Sequence, residues 1–177
     1  MSARGTLPWS LASEHPELVA RPVAAALPAF ASALVAPIDP ALADTAEFCA
    51  AYESDPAQSA NCVVVAGRRG GVETWAAVMV LATDRADINN LVRRHLDVRK
   101  ISFAPMELAV ERTGMEYGGI TPIGLPEEWP VLVDSAVVAA GEVVIGSGIR
   151  GSKLLVAGAD LLTLPNAVEL ALVRREP

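Results

Sequence analysis

Aromatic residues make up only 5% of this 177-residue chain, and histidine and cysteine occur twice each. His15 and His95 lie far apart with no partner one helical turn away, so the sequence offers no metal site. Cys49 and Cys62 form no C-x-x-C pair. Two isolated thiols in a chain of this size fit a reduced compartment and read as small buried hydrophobes. The longest uncharged stretch, Pro22 to Ile38, is shorter than the roughly 20 apolar residues of a spanning helix, and Pro22, Pro28 and Pro37 interrupt it. No basic segment leads into an apolar run at the start. A soluble, cytoplasmic protein without a membrane partner is expected. There is no internal repeat and no low-complexity linker, and the length suits one domain.

An excess of basic charge is missing too. The formal net charge is −7, which argues against a non-specific binder of DNA or other nucleic acid. Its distribution is uneven. Residues 1–60 carry two basic and seven acidic side chains, and residues 61–177 carry twelve and fourteen. The pairs Arg68-Arg69, Arg93-Arg94, Arg99-Lys100 and Arg174-Arg175 all fall in the later part.

What is present is a succession of short β-type runs. Residues 1–31 read as a peripheral helical or irregular lead-in, with "SEHPELVARPVAAAL" its best helical piece. A strand over "SALVAPID" and a short helix over "TAEFCAAYES" follow. "NCVVVAGRRGGVETWAAVMVLATD" places two β-branched runs around Gly70-Gly71, a hairpin signal. "ADINNLVRRHL" predicts a helix, "VRKISFA" a strand, and "PMELAVERTG" a helix with proline at its start and glycine at its end. "PVLVDSAVV", "EVVIGSG" and "KLLVAG" read as strands, then "ADLLTLP" as a short helix and "NAVELALVRR" as a terminal strand. Strands that often follow one another directly predict an α+β fold: a mixed, largely antiparallel sheet or barrel flanked by helices.

Gly146, Gly148 and Gly151 match the G-x-G-x-x-G spacing of a dinucleotide fingerprint. That motif needs a helix opening at its third glycine. Here "SKLLVAG" follows, a β-type run, so the glycines are expected to form a hairpin loop. No cofactor is expected.

The segment "TGMEYGGITPIG", residues 113–124, is dense in backbone-special residues. Gly118, Gly119 and Gly124 permit positive φ or close approach, and Pro122 stiffens the loop. Such a loop either makes a tight turn or points N–H groups at a carbonyl oxygen or anion.

This segment resembles the T-G-x-x-x-G-G-x-[ST]-P-x-G signature of the YbaK/prolyl-tRNA-synthetase-associated editing domains. The resemblance extends through "VLVDSAVVAAGEVVIGSGIRGSKLLVAGADLLTL" and upstream to "DTAEFCAAYESDPAQSANCVVV", covering roughly residues 32–175. It implies an editing domain over 32–177 that hydrolyses the ester of a mischarged aminoacyl-tRNA, with a small amino acid such as Ala, Cys or Ser. The loop Gly118, Gly119, Ile120, Thr121 and Pro122 would hold the aminoacyl carbonyl. An activated ester needs positioning and an oxyanion donor more than a triad, and none is visible. Partners would be the acceptor end of aminoacyl-tRNA and a synthetase.

The chain departs from the family pattern at two positions. Asn61 stands where active members carry a lysine, and Lys153 follows the late Arg-Gly where some members have an acidic residue. Lys153 is either a solvated lysine at a strand start or an ammonium supplied from the opposite wall of the pocket. Arg150 and Gly151, with Gly148 in the same loop, match the family and would face the acceptor end. Asp134 falls in a matching strand end, with turn capping the other reading. Tyr117 and Trp129 offer a face for a terminal base or ordinary packing. The competing function is a non-catalytic homologue that binds a tRNA end or a synthetase, and Asn61 favours it.

Overall fold

A computed structural model describes residues 1–173. The chain forms β1 (Ser10–Leu11), α1 (Arg21–Ala26), β2 (Leu34–Pro37), α2 (Thr45–Tyr52), β3 (Ala60–Arg69), β4 (Val72–Leu81), α3 (Arg93–His95), β5 (Lys100–Phe103), α4 (Met106–Thr113), β6 (Val131–Asp134), α5 (Ser135–Ala139), β7 (Glu142–Gly146), β8 (Ser152–Ala157) and β9 (Ala167–Leu170). Two sheets result. One has the order β1-β2-β8-β7 and is antiparallel throughout. The other has the order β5-β3-β4-β6-β9, antiparallel on one side and parallel from β4 through β9. This is the expected mixed, largely antiparallel α+β fold.

The central hairpin follows from its sequence. Ten residue pairs join β3 to β4, and Gly70 and Gly71 turn the chain with φ of 57° and 83°. Two positive φ values in succession are the type I′ turn that matches strand twist, and glycine adopts them without a Cβ penalty. The main core draws on both sheets, with Val35, Val143, Ile145 and Leu154 from one and Ala77, Met79, Val131 and Val133 from the other. Phe48 of α2 covers the outer face of the four-stranded sheet with Val144 and Leu155. Val92 and Leu172 cover the outer face of the five-stranded one with Val65, Val78 and Leu132.

Four expectations need correction. Residues 1–31 are not peripheral: β1 pairs with β2, and Val19, Val23, Leu27 and Phe30 are buried in the main core. Their helical piece is short as well, because Pro16 and Pro22 each restart the chain, giving single 3-10 turns before α1. The strand read over 130–138 ends at Asp134, whose carboxylate accepts from the Ala136 N–H (2.9 Å) and caps α5. The helix read over 86–96 opens as a wide π turn, Ile88–Val92, with Asp87 accepting from the Asn90 N–H. The final strand is shorter than predicted, and its Arg174-Arg175 end lies outside the described residues. As expected, Gly146 to Gly151 form the β7–β8 hairpin loop, not a nucleotide fingerprint.

Candidate functional site

A cavity of about 410 Å³ opens where α2, β3, β8 and the 116–120 loop meet. The loop wall is made by two glycine segments locked together. The Glu116 N–H donates to Gly148 O (2.8 Å), and the Gly148 N–H donates to Gly119 O (2.7 Å). A side chain at Gly146 would strike the Gly119 and Ile120 carbonyls, and one at Gly119 would lie 2.6 Å from the Ile149 backbone. Close approach explains glycine at both positions. Gly118 and Gly148 need it for conformation too, with φ of 84° and 88°.

Within the wall, the Gly119 N–H is used internally, donating to Glu116 O. Gly118 and Ile120 line the cavity, and their N–H groups have no acceptor among the described residues. Thr121 is fully buried behind the wall with an unpartnered hydroxyl, and Pro122 lines a different hollow on the far side.

Lys153 reaches the cavity from β8. It is only 7% exposed, so the solvated-lysine alternative does not hold. Its ammonium donates to Ala43 O (2.7 Å) and stands 5.2 Å from the centre of the Phe48 ring. No carboxylate among the described residues lies within ion-pair distance of it. Burial pulls its pKa down to about 8, opposed by the Asp44 carboxylate and assisted by Arg150. Opposite, on β3, Asn61 accepts from the Thr45 hydroxyl (2.7 Å). Asn61 and Lys153 therefore share one cavity, with the start of α2 between them.

The remaining expected residues support the wall or lie elsewhere. Arg150 does not line the cavity. It spans from the glycine loop to the 40–44 turn, donating to Pro40 O (3.2 Å) and pairing with Asp44 (3.4 Å), while its N–H donates to Glu116 (2.7 Å). Gly148 and Gly151 shape the same loop. Asp134 is buried, capping α5 and accepting from the Leu172 N–H (2.7 Å), away from the cavity. Tyr117 is exposed on the cavity rim, whereas Trp129 is buried against Trp75 at 5.2 Å between ring centres. Thr45, Phe48, Cys62 and Met106 complete the lining. Sequence reasoning missed them as a site because they come from three separate elements. Burial pushes the Cys62 thiol up to about 12, so it stays a neutral, unreactive wall group. Among the described residues no cluster of His, Cys, Asp or Glu could hold a metal, and no helix is long and apolar enough to cross a membrane.

Two packed sheets with a glycine-loop cavity define this as an α+β domain of the editing type. A solved structure described as a candidate trans-editing enzyme for prolyl tRNA synthetase overlays with a TM-score of 0.74, covering 88% of this chain and 96% of the other at 22% identity. The hypothetical protein APE2540 gives 0.64, covering 75% and 83%, also at 22% identity. At those identities the likeness is one of fold. The sequence model of the aminoacyl-tRNA editing domain matches residues 39–164, and the chain belongs to that family. A proline–tRNA ligase of Listeria monocytogenes serotype 4a (strain HCC23) is 29% identical over 84 residues, which are 47% of this chain and 15% of the ligase.

Proposed function

We propose that this chain hydrolyses, in trans, the ester linking a small wrong amino acid such as Ala, Cys or Ser to its tRNA. The observation that carries the reading is the buried Lys153 ammonium, which shares a cavity with the free Gly118 and Ile120 amides. Water adds to the ester carbonyl carbon, and the oxygen that becomes negative accepts from those amides. Collapse expels the ribose oxygen, which takes a proton, leaving free amino acid and intact tRNA. Preorganised donors in a site shielded from water stabilise developing charge more than solvent does. Lys153 would supply the charge that Asn61 lacks, and Asn61 with Thr45 would orient the substrate. A cavity of this size has room for a small aminoacyl group and the end of a ribose. Residues 32–177 would form the editing unit, with the lead-in packed into it.

The second reading is a homologue that binds the tRNA end or a synthetase without hydrolysis, and neutral Asn61 on β3 favours it. Single-turnover deacylation of a panel of mischarged and correct aminoacyl-tRNAs separates the two, with Asn61→Lys and Lys153→Met beside the parent. The editing reading expects selective turnover by the parent and a loss of roughly 10- to 100-fold for Lys153→Met, the scale of a charge-assisted hydrogen bond. An inactive parent that gains activity through Asn61→Lys would establish the binding homologue instead.

A further inference from the structure

The chain's negative charge is not spread evenly over the fold. Residues 67–112 carry eight basic and six acidic side chains, a net of +2, and the rest of the chain holds −9. Three basic pairs separated in sequence meet in space within that segment. Arg68 pairs in register with Lys100 on edge strand β5, and the Arg99 N–H donates to Arg68 O (2.9 Å). The ion pair of Arg69 with Asp97 brings the turn that follows α3 alongside the end of β3. Part of this charge is spent internally: Arg69 pairs with Asp97, and Arg68 and Arg112 both pair with Glu73 at 3.3 Å. Arg94, Arg99 and Lys100 are exposed and have no ion-pair partner among the described residues.

This patch has a fixed relation to the cavity. Phe103, at the other end of β5 from Lys100, lines the cavity and is 67% exposed. Three residues of strand separate them by about 10 Å. Met106 and Tyr117, 52% and 59% exposed, share that rim. A stacked nucleic-acid strand places one phosphate every ~3.4 Å. About three nucleotides of stacked strand therefore span the sheet edge from the cavity rim at Phe103 to the Arg99-Lys100 end of β5, where Arg99 and Lys100 leave opposite faces of the strand.

We infer that Arg94, Arg99 and Lys100 form the docking surface for the backbone of a tRNA acceptor end, with Phe103, Met106 and Tyr117 as the platform for its unpaired 3′ bases. The inference rests on the editing reading for the choice of nucleic acid. Its test does not need hydrolysis. An uncharged acceptor-stem minihelix ending in CCA, labelled at its 5′ end, is titrated by anisotropy between 50 and 300 mM salt. The parent is compared with the triple variant Arg94→Ala/Arg99→Ala/Lys100→Ala and with Arg94→Lys/Arg99→Lys. The triple variant is expected to bind about tenfold or more weakly at low salt, with the log–log salt slope reduced by about two to three. The lysine variant retains most of the binding, which a folding defect would not allow.

Unchanged affinity and slope in the triple variant would overturn the inference. So would equal binding of a blunt duplex without the 3′ end, or a parent that binds no minihelix. Hydrolysis of a free 3′-aminoacyl adenosine by the triple variant should match the parent, since the cavity is untouched. Patch-dependent binding by a parent that hydrolyses no ester leaves the surface standing and removes the deacylase reading alone.

Discussion

Lys153 holds a charge where the fold pays to keep one. Its ammonium is buried against one carbonyl and an aromatic face, and its pKa falls from an ordinary 10.5 to about 8. Between those values the unfolded chain binds more protons than the folded one, so stability rises with pH through that window, by on the order of 3 kcal/mol at most. Activity that uses the ammonium runs the other way. The single-turnover rate, corrected for uncatalysed ester hydrolysis, is expected to decline as pH passes about 8, and Lys153→Met should abolish that decline. The same substitution should leave the melting temperature equal or higher, because it relieves a buried charge. A variant that loses both stability and activity would mark Lys153 as structural. The letters "RGSK" left a solvated lysine and a pocket ammonium both open, because the burial that decides comes from α2, which lies far away in sequence.

At the scale of elements, the editing wall depends on two loops that occupy each other's space. Gly146 ends β7 directly beneath the Gly119 and Ile120 carbonyls. Gly146→Ala forces backbone apart, not a flexible side chain. The expected cost is about 1–3 kcal/mol in urea unfolding, together with a fall in turnover as the Gly118 and Ile120 amides move. Gly70→Ala provides the contrast, since a side chain there meets nothing within 4 Å and pays only for its φ of 57°. The glycine spacing of both loops was legible in the sequence, and so was the hairpin role of the second. Their interlock was not, because residues 116–119 and 146–151 touch only after β6, α5 and β7 intervene. The strand read through "VLVDSAVV" failed for a local reason. The β-branched residues favour a strand, and the Asp134 cap overrides them for helix over Ser135–Ala139.

Across the whole molecule, the lead-in and the charge pattern are properties of assembly. Phe30 is 5% exposed in the core that joins the two sheets, together with Val23 and Leu27. Phe30→Ala is expected to cost about 3–5 kcal/mol by chemical denaturation, as for a central core aromatic. A loss under 1 kcal/mol would return residues 1–31 to the periphery. The chain that reads as acidic overall presents a positive face only because β5 pairs with β3 and brings Arg99-Lys100 beside Arg68-Arg69. Net charge alone pointed away from nucleic acid. The folded distribution gathers basic side chains at the β5 edge of the five-stranded sheet, which is what the acceptor-end proposal rests on.

The sequence by itself determined the fold class, the central hairpin and the glycine loop with its family, since each is written in short-range signals: period-two alternation, paired glycines and a contiguous motif. Only the tertiary structure decided which loop amides remain free, that Lys153 is buried and shares a cavity with Asn61, and that Thr121, Pro122 and Asp134 stand away from it. Burial and free hydrogen-bonding capacity are set by what packs against a residue, and here the packing partners come from elements tens of residues apart.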